Sequence, residues 1–291
     1  MNPYKIITDS NTDLSPELIE QLGVYVIPMT FTMGNKLYRN YPDERDISNK
    51  EFYRLLREGQ SAKTDQINSV TFQETFEPFL KEGLDLIYLA FSSGLSGTYN
   101  GARLTVEELK SKYPGRKLLV VDTLAASMGE GLLVYHAAQL QKQGAAIEEV
   151  AKWVEENRNR MAHWFTVDDL NHLKRGGRVS GAAALFGTML GIKPVLHVDD
   201  EGHLIPMEKV RGRRQSLDAL VKHMAATVEN PQDQVVFISH GDCLEDAGYV
   251  AQQVREKFQV QDIVINYIGP VIGSHSGPGT VALFFLGKSK N

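Results

Sequence analysis

Two loops in this chain carry residue types suited to gripping an anion. The first reads Phe91-Ser92-Ser93-Gly94-Leu95-Ser96-Gly97-Thr98-Tyr99 and follows an apolar run ending at Ala90. Glycine lets backbone N–H groups come close to a ligand, serine donates a hydroxyl hydrogen, and a following helix adds the positive end of its dipole. A tight turn whose serines cap their own backbone is the plainer use of the same residues. The second loop, Gly269-Pro270-Val271-Ile272-Gly273-Ser274-His275-Ser276-Gly277-Pro278-Gly279, surrounds one imidazole with small residues. His275 can reach a ligand from there, or cap a nearby backbone group.

The spacing narrows the chemistry. A nucleoside triphosphate loop ends in a lysine that holds the β- and γ-phosphates, and neither 94–99 nor 269–280 contains one. The esterase elbow needs Gly-x-Ser-x-Gly, whereas Gly94-Leu95-Ser96-Gly97 is one residue short. A serine-dependent hydrolase acting on an acyl ester or small phosphate ligand, with Ser96 as nucleophile and His275 as base, is therefore the alternative reading. The 8 histidines form no HExxH or equivalent cluster, so neither a metal nor a cofactor is expected. What remains is a carboxylate or phosphate held by hydroxyls and backbone amides. Farther on, Asp168 and Asp169 could serve as an acid–base pair, but beside Lys174, Arg175 and Arg178 they read first as a helix cap or ion pairs. A small apolar run follows at 182–192. Lys209-Val210-Arg211-Gly212-Arg213-Arg214 makes a second cationic cluster, either a solvated face or a dock for an anionic partner.

Short apolar runs rich in branched residues alternate with longer amphipathic stretches, the pattern of an α/β fold. In the first half strands are predicted at 5–8, 24–32, 86–91 and 118–122, with helices at 15–22, 48–58, 71–82, 98–113, 125–143 and 147–160. Ser15, Pro16 and Gly23 supply the cap, first position and stop of the first helix. The second half is predicted to add strands at 164–167, 194–199, 204–210, 235–240, 263–268 and 281–286, with a hairpin turn at Asp199-Asp200-Glu201-Gly202. The expectation is two α/β domains, 1–160 with a largely parallel sheet and 161–291 with a mixed sheet, enclosing a ligand between them.

At 291 residues, 42% hydrophobic and 23% charged, the chain has the composition of a folded globular protein. Its formal charge of -5 gives no general attraction to nucleic acid. A single cysteine, Cys243, fits a reducing compartment. With neither a signal-peptide pattern nor a long unbroken apolar segment, a cytoplasmic protein without a transmembrane segment is expected.

Thr8-Asp9-Ser10, Val121-Asp122-Thr123, Lys193-Pro194-Val195-Leu196 and Lys209-Val210-Arg211, taken with the loops at 91–99, 165–181 and 269–279, resemble the DegV family. The likeness runs through essentially the whole chain. It implies a two-domain α/β protein that encloses a long-chain fatty acid, similar to the FakB-type subunits of bacterial fatty acid kinase, with no catalytic centre of its own. It also implies ligand contacts from Thr64, Ser93 or Ser96, Gly97 and His275. The family's T-S-Q-P loop is altered here to Thr64-Asp65-Gln66-Ile67, which keeps only the threonine and glutamine. By the same resemblance Arg178 and Arg211, with Arg213 and Arg214 enlarging the surface, dock the ATP-binding kinase subunit. That partner would make an acyl phosphate for phospholipid synthesis.

Overall fold

A computed structural model describes residues 2–179 and 191–290; the small apolar run expected at 182–192 falls outside the described residues except for its last two positions. The chain begins with β1 (Tyr4–Asp9), a 3-10 turn over Ser10–Thr12, and α1 (Pro16–Leu22). The first helix is punctuated as its sequence predicts: Ser15 Oγ accepts from Leu18 N at 3.3 Å, Pro16 opens it, and Gly23 ends it at φ +70°. There follow β2 (Tyr25–Ile27), β3 (Thr30–Met33), β4 (Lys36–Arg39), α2 (Asn49–Arg57), β5 (Ala62–Asp65), α3 (Ser69–Lys81), β6 (Asp85–Ala90), α4 (Thr98–Lys112), β7 (Leu118–Asp122), α5 (Met128–Lys142) and α6 (Ile147–Asn157). A parallel sheet runs in the order β2-β1-β6-β7, and a small antiparallel sheet in the order β4-β3-β5.

The second half contributes β8 (Met161–Thr166), α7 (Leu170–Gly176), β9 (Ile192–Val198), β10 (Leu204–Arg211), α8 (Arg213–Thr227), β11 (Val235–His240), α9 (Leu244–Phe258), β12 (Asp262–Tyr267), α10 (Pro270–Ser276) and β13 (Val281–Leu286). Its sheet runs β10-β9-β8-β13-β11-β12, antiparallel throughout except for the parallel β11–β12 pair. The expected α/β class, with one parallel and one mixed sheet, is what the chain forms. The hairpin at 199–202 is present, closed by Gly202 N donating to Asp199 O at 3.0 Å with Gly202 at φ +82°.

Burial explains how the parts are held. Helix α5 is apolar nearly all round, so it sits between the two large sheets. Its Leu132, Leu133 and Ala137 share one core with Ile6 and Ile87 on one side and Phe237 and Phe284 on the other. A second core of Phe31, Phe52, Phe72, Phe76 and Tyr88 fixes the small sheet to the body, each ring contributing roughly 1.5–3 kcal/mol by its burial. Among the described residues no helix is long and apolar enough to cross a membrane.

Three expectations need correction. The strand expected over 24–32 is two strands in different sheets, β2 and β3, because Pro28 between them lacks an N–H for a ladder. Strands β4 and β5 were not anticipated, being short and polar in sequence (KLYR and AKTD). The glycine-rich stretch after β12 is not a plain loop but opens as the short helix α10, with Gly269 at its N-cap and Pro270 at its first position.

Candidate functional site

A cavity of about 590 Å³ lies between the two halves. Its wall includes Thr64, Ser93, Ser96, Gly97, Arg178 and His275, together with apolar side chains such as Phe165, Leu204, Ala282 and Phe284. All five residues expected to contact a ligand therefore meet in one cavity, although they come from three separate elements.

Thr64 stands in β5, held opposite Phe31 of β3 by the antiparallel ladder. His275 projects from α10, and its Nε2 lies 2.9 Å from Thr64 Oγ1. Burial, helped by the nearby Arg178 guanidinium, pushes the imidazole down to about 4, so the ring is neutral at pH 7. A neutral ring has one N–H, and its position decides what Thr64 can do. With the proton on Nε2 the ring donates to Thr64, which frees the hydroxyl hydrogen for an anion in the cavity. His275 Nδ1 then keeps only a lone pair, and it has no hydrogen-bond partner among the described residues. It faces Gly176 so closely that a Cβ there would sit 2.4 Å from it, which is why α7 ends in a residue without a side chain at that point.

The two candidate serines differ. Ser96 Oγ lies 2.9 Å from Thr98 Oγ1 and accepts from Thr98 N at 3.2 Å, closing a local turn onto the first residue of α4, whose N-cap is Gly97. Ser93 is held by its backbone, whose N–H donates to Asp122 Oδ1 at 3.1 Å, while its hydroxyl has no partner among the described residues. Ser93 thus offers an unengaged hydroxyl, whereas that of Ser96 is already bonded to Thr98. Gly97 faces Gln66, whose Oε1 would be 2.2 Å from an added Cβ.

The hydrolase alternative requires a serine bonded to an imidazole whose other nitrogen is held by an acid. Here His275 Nε2 meets Thr64, Nδ1 meets no acid among the described residues, and Ser96 is turned to Thr98. That constellation is not assembled. Among the described residues there is also no group of three or more His, Cys, Asp or Glu placed to hold a metal ion.

The basic residues do not form one patch. Arg178 borders the cavity and donates to the carbonyls of Leu95 and Gly176. Its neighbour Val179 bridges to Leu204 at the start of β10, whereas Arg211 ends that strand, roughly 23 Å away at 3.3 Å per residue. Arg213 is paired with Asp246 at 2.7 Å, and Arg214 lies over the Tyr249 ring at 3.1 Å.

Sequence reasoning passed over the buried acids behind the cavity. Asp13 accepts from Ser127 Oγ and from Gly269 N, the latter at 2.8 Å, so one carboxyl joins the start of α5 to the start of α10. Burial raises it to about 7. Asp9 accepts the Tyr88 hydroxyl at 2.6 Å, and Glu130 is raised well above the usual carboxylate range, first by burial and then by Asp9. The only signal for them was the Thr8-Asp9-Ser10 motif, which carried no assigned role.

With the geometry in place, comparison with known proteins is specific. The DegV family profile, a family of uncharacterised proteins, matches residues 3–288. A DegV domain-containing protein of Clostridium perfringens is 48% identical over 290 residues, covering 100% of this chain and 99% of its own. Among solved structures, a fatty-acid-binding DegV family protein from Thermus thermophilus superposes with a TM-score of 0.88 at 32% identity, covering 98% of this chain and 99% of that one. A DegV lipid-binding protein from Thermotoga maritima superposes with a TM-score of 0.87 at 29% identity, covering 99% and 100%.

Proposed function

Because the chain belongs to the DegV family, we propose that it binds a long-chain fatty acid and presents the acid's carboxylate to a fatty acid kinase subunit. The observation that carries the reading is that the Thr64–His275 pair and the unengaged Ser93 hydroxyl line one largely apolar cavity. A volume of about 590 Å³ is in the range of sites that enclose small ligands. The fatty acid and lipid bound by the Thermus and Thermotoga relatives support the same ligand class.

The tail and head have different tasks. Each buried methylene contributes about 0.8 kcal/mol, so a tail of roughly fifteen supplies on the order of 12 kcal/mol before ordering costs. The ionised head must recover its lost hydration from donors, a role this reading gives to the Thr64 and Ser93 hydroxyls. A neutral His275 fixes the Thr64 hydroxyl without adding a charge. Residues 1–160 then supply the hydroxyl grip, and residues 161–291 supply His275 and the exposed cations. Arg211 and Arg214 are the kinase-facing candidates, since Arg213 is committed to Asp246. This chain presents the substrate, and the partner handles ATP.

The test is extraction of lipid from the natively purified protein, read by mass spectrometry. Stoichiometric free fatty acid is expected. A lipid-free protein that neither takes up added fatty acid nor supports acyl phosphate formation with a kinase subunit and ATP would refute the proposal.

A further inference from the structure

Lys290 is fully buried, an unusual state for a lysine, and it lies outside the cavity lining. Its Nζ donates to two backbone carbonyls, Leu124 O and Asp199 O, each at 2.9 Å. Both carbonyls belong to segments that shape the serine loop. Leu124 is held at φ +50°, a conformation unfavourable for a residue with a side chain. Its N–H donates to Asp122 Oδ1 at 3.1 Å, and that same oxygen accepts the Ser93 N–H at 3.1 Å. Asp199 opens the β9–β10 hairpin, whose Gly202 O accepts the Ser92 hydroxyl at 2.9 Å. The hairpin touches the loop so closely that a Cβ on Gly94 would lie 2.8 Å from Glu201 O.

These bonds close a ring: Ser93 to Asp122, Asp122 to Leu124, Leu124 to Lys290, Lys290 to Asp199, and the hairpin back to Ser92. We propose that Lys290 is a positioning residue for the ligand's carboxylate, tying the strained Leu124 turn to the hairpin so that Ser93 is held at a fixed place in the cavity wall. Most of the apolar wall, Phe165, Ala282 and Phe284 among it, lies outside this ring, and of the apolar lining only Val198 and Leu204 flank the tied hairpin. The inference rests on Ser93 being a carboxylate ligand, so its test must separate head-group placement from general loosening.

The experiment uses the full chain stripped of lipid and measures displacement of a fluorescent fatty acid by oleate and by oleyl alcohol, which shares the tail but lacks the carboxylate. Lys290→Met should weaken oleate about tenfold, the scale of one lost hydrogen bond to a charged group, and leave oleyl alcohol within about twofold. Lys290→Gln, which keeps a donor, should lose less. It also carries the test if the methionine variant does not fold. Combining Lys290→Met with Ser92→Ala should weaken oleate by less than the product of the two single effects, because both act through one ring. Equal losses for oleate and alcohol, unchanged oleate binding, or independent effects of the two substitutions would overturn the positioning role. If the wild-type protein binds neither probe, the fatty-acid reading fails first and this inference falls with it.

Discussion

The sharpest consequence of the site is that two serines three positions apart should fail in opposite ways. Replacing Ser93 by Ala removes a hydroxyl that has no partner among the described residues, so the free protein loses no internal bond and its stability should stay within about 0.5 kcal/mol. The bound state loses a hydrogen bond to a carboxylate, about 1.5–3 kcal/mol, or roughly a tenfold to hundredfold drop in affinity. Replacing Ser96 by Ala instead removes the acceptor for Thr98 N at the start of α4. The loss of such a turn bond costs about 1 kcal/mol of stability, a fall of about 2 °C in Tm for a chain of this size, with affinity changed by no more than about twofold. Displacement of a fluorescent fatty acid gives one axis and thermal or urea unfolding of the stripped protein gives the other. A Ser96 variant that loses affinity beside a Ser93 variant that keeps it would show that the wrong hydroxyl was assigned to the carboxylate.

Other substitutions test the frame and the partner. Burial raises the folded Asp13 carboxyl from 3.8 to about 7, so the native state keeps a proton that the unfolded chain releases, and the associated stability is present at low pH and lost as pH rises through 7. Asp13→Asn, which keeps an acceptor for Gly269 N and carries no charge, should be more stable than wild type above pH 7 and lose that advantage near pH 4; urea unfolding across this range decides it, and a constant difference would count against the buried carboxyl. Gly94→Ala should destabilise the protein by about 1–3 kcal/mol in the same assay, because its Cβ meets backbone of the 199–202 hairpin that cannot swing aside. Arg211→Glu should weaken acyl phosphate formation with the kinase subunit while the co-purified lipid is retained, and loss of lipid instead would place Arg211 in the ligand site.

How much of this was legible in the sequence depends on where the causes lay. Strand β6 is buried along its whole length and, after Asp85, reads as an apolar run, and α1 carries its own cap and stop, so both were visible locally. Strand β5 was not visible, because its four residues alternate in burial and exist as a strand only by pairing with β3. Thr64 was therefore reached through family resemblance, without a view of the strand that holds it. Helix α10 hid behind its glycines, yet Gly273 is needed there, since a Cβ would come within 2.6 Å of the Tyr53 hydroxyl. Helices α8 and α9 had no place in the sequence reading, and their identity as the cover of the mixed sheet emerges only from packing. The difference between Ser93 and Ser96 is a matter of which neighbours each hydroxyl meets over a few ångströms, which residue type alone does not encode. The long reach of β10, which separates Arg178 from Arg211, is likewise a property of the folded strand.

The convergence of a β5 threonine, a serine after β6 and an α10 histidine on one cavity has a thermodynamic corollary. A molecule touching all three acts as a rivet through sheet edge, turn and helix, and it has no equivalent seat on the unfolded chain. Occupancy should therefore toughen the whole molecule against heat, by about 2.7 kcal/mol when free ligand stands at a hundred times its Kd. Cargo and scaffold would then be mutually dependent, so that delivering the lipid also relaxes its carrier.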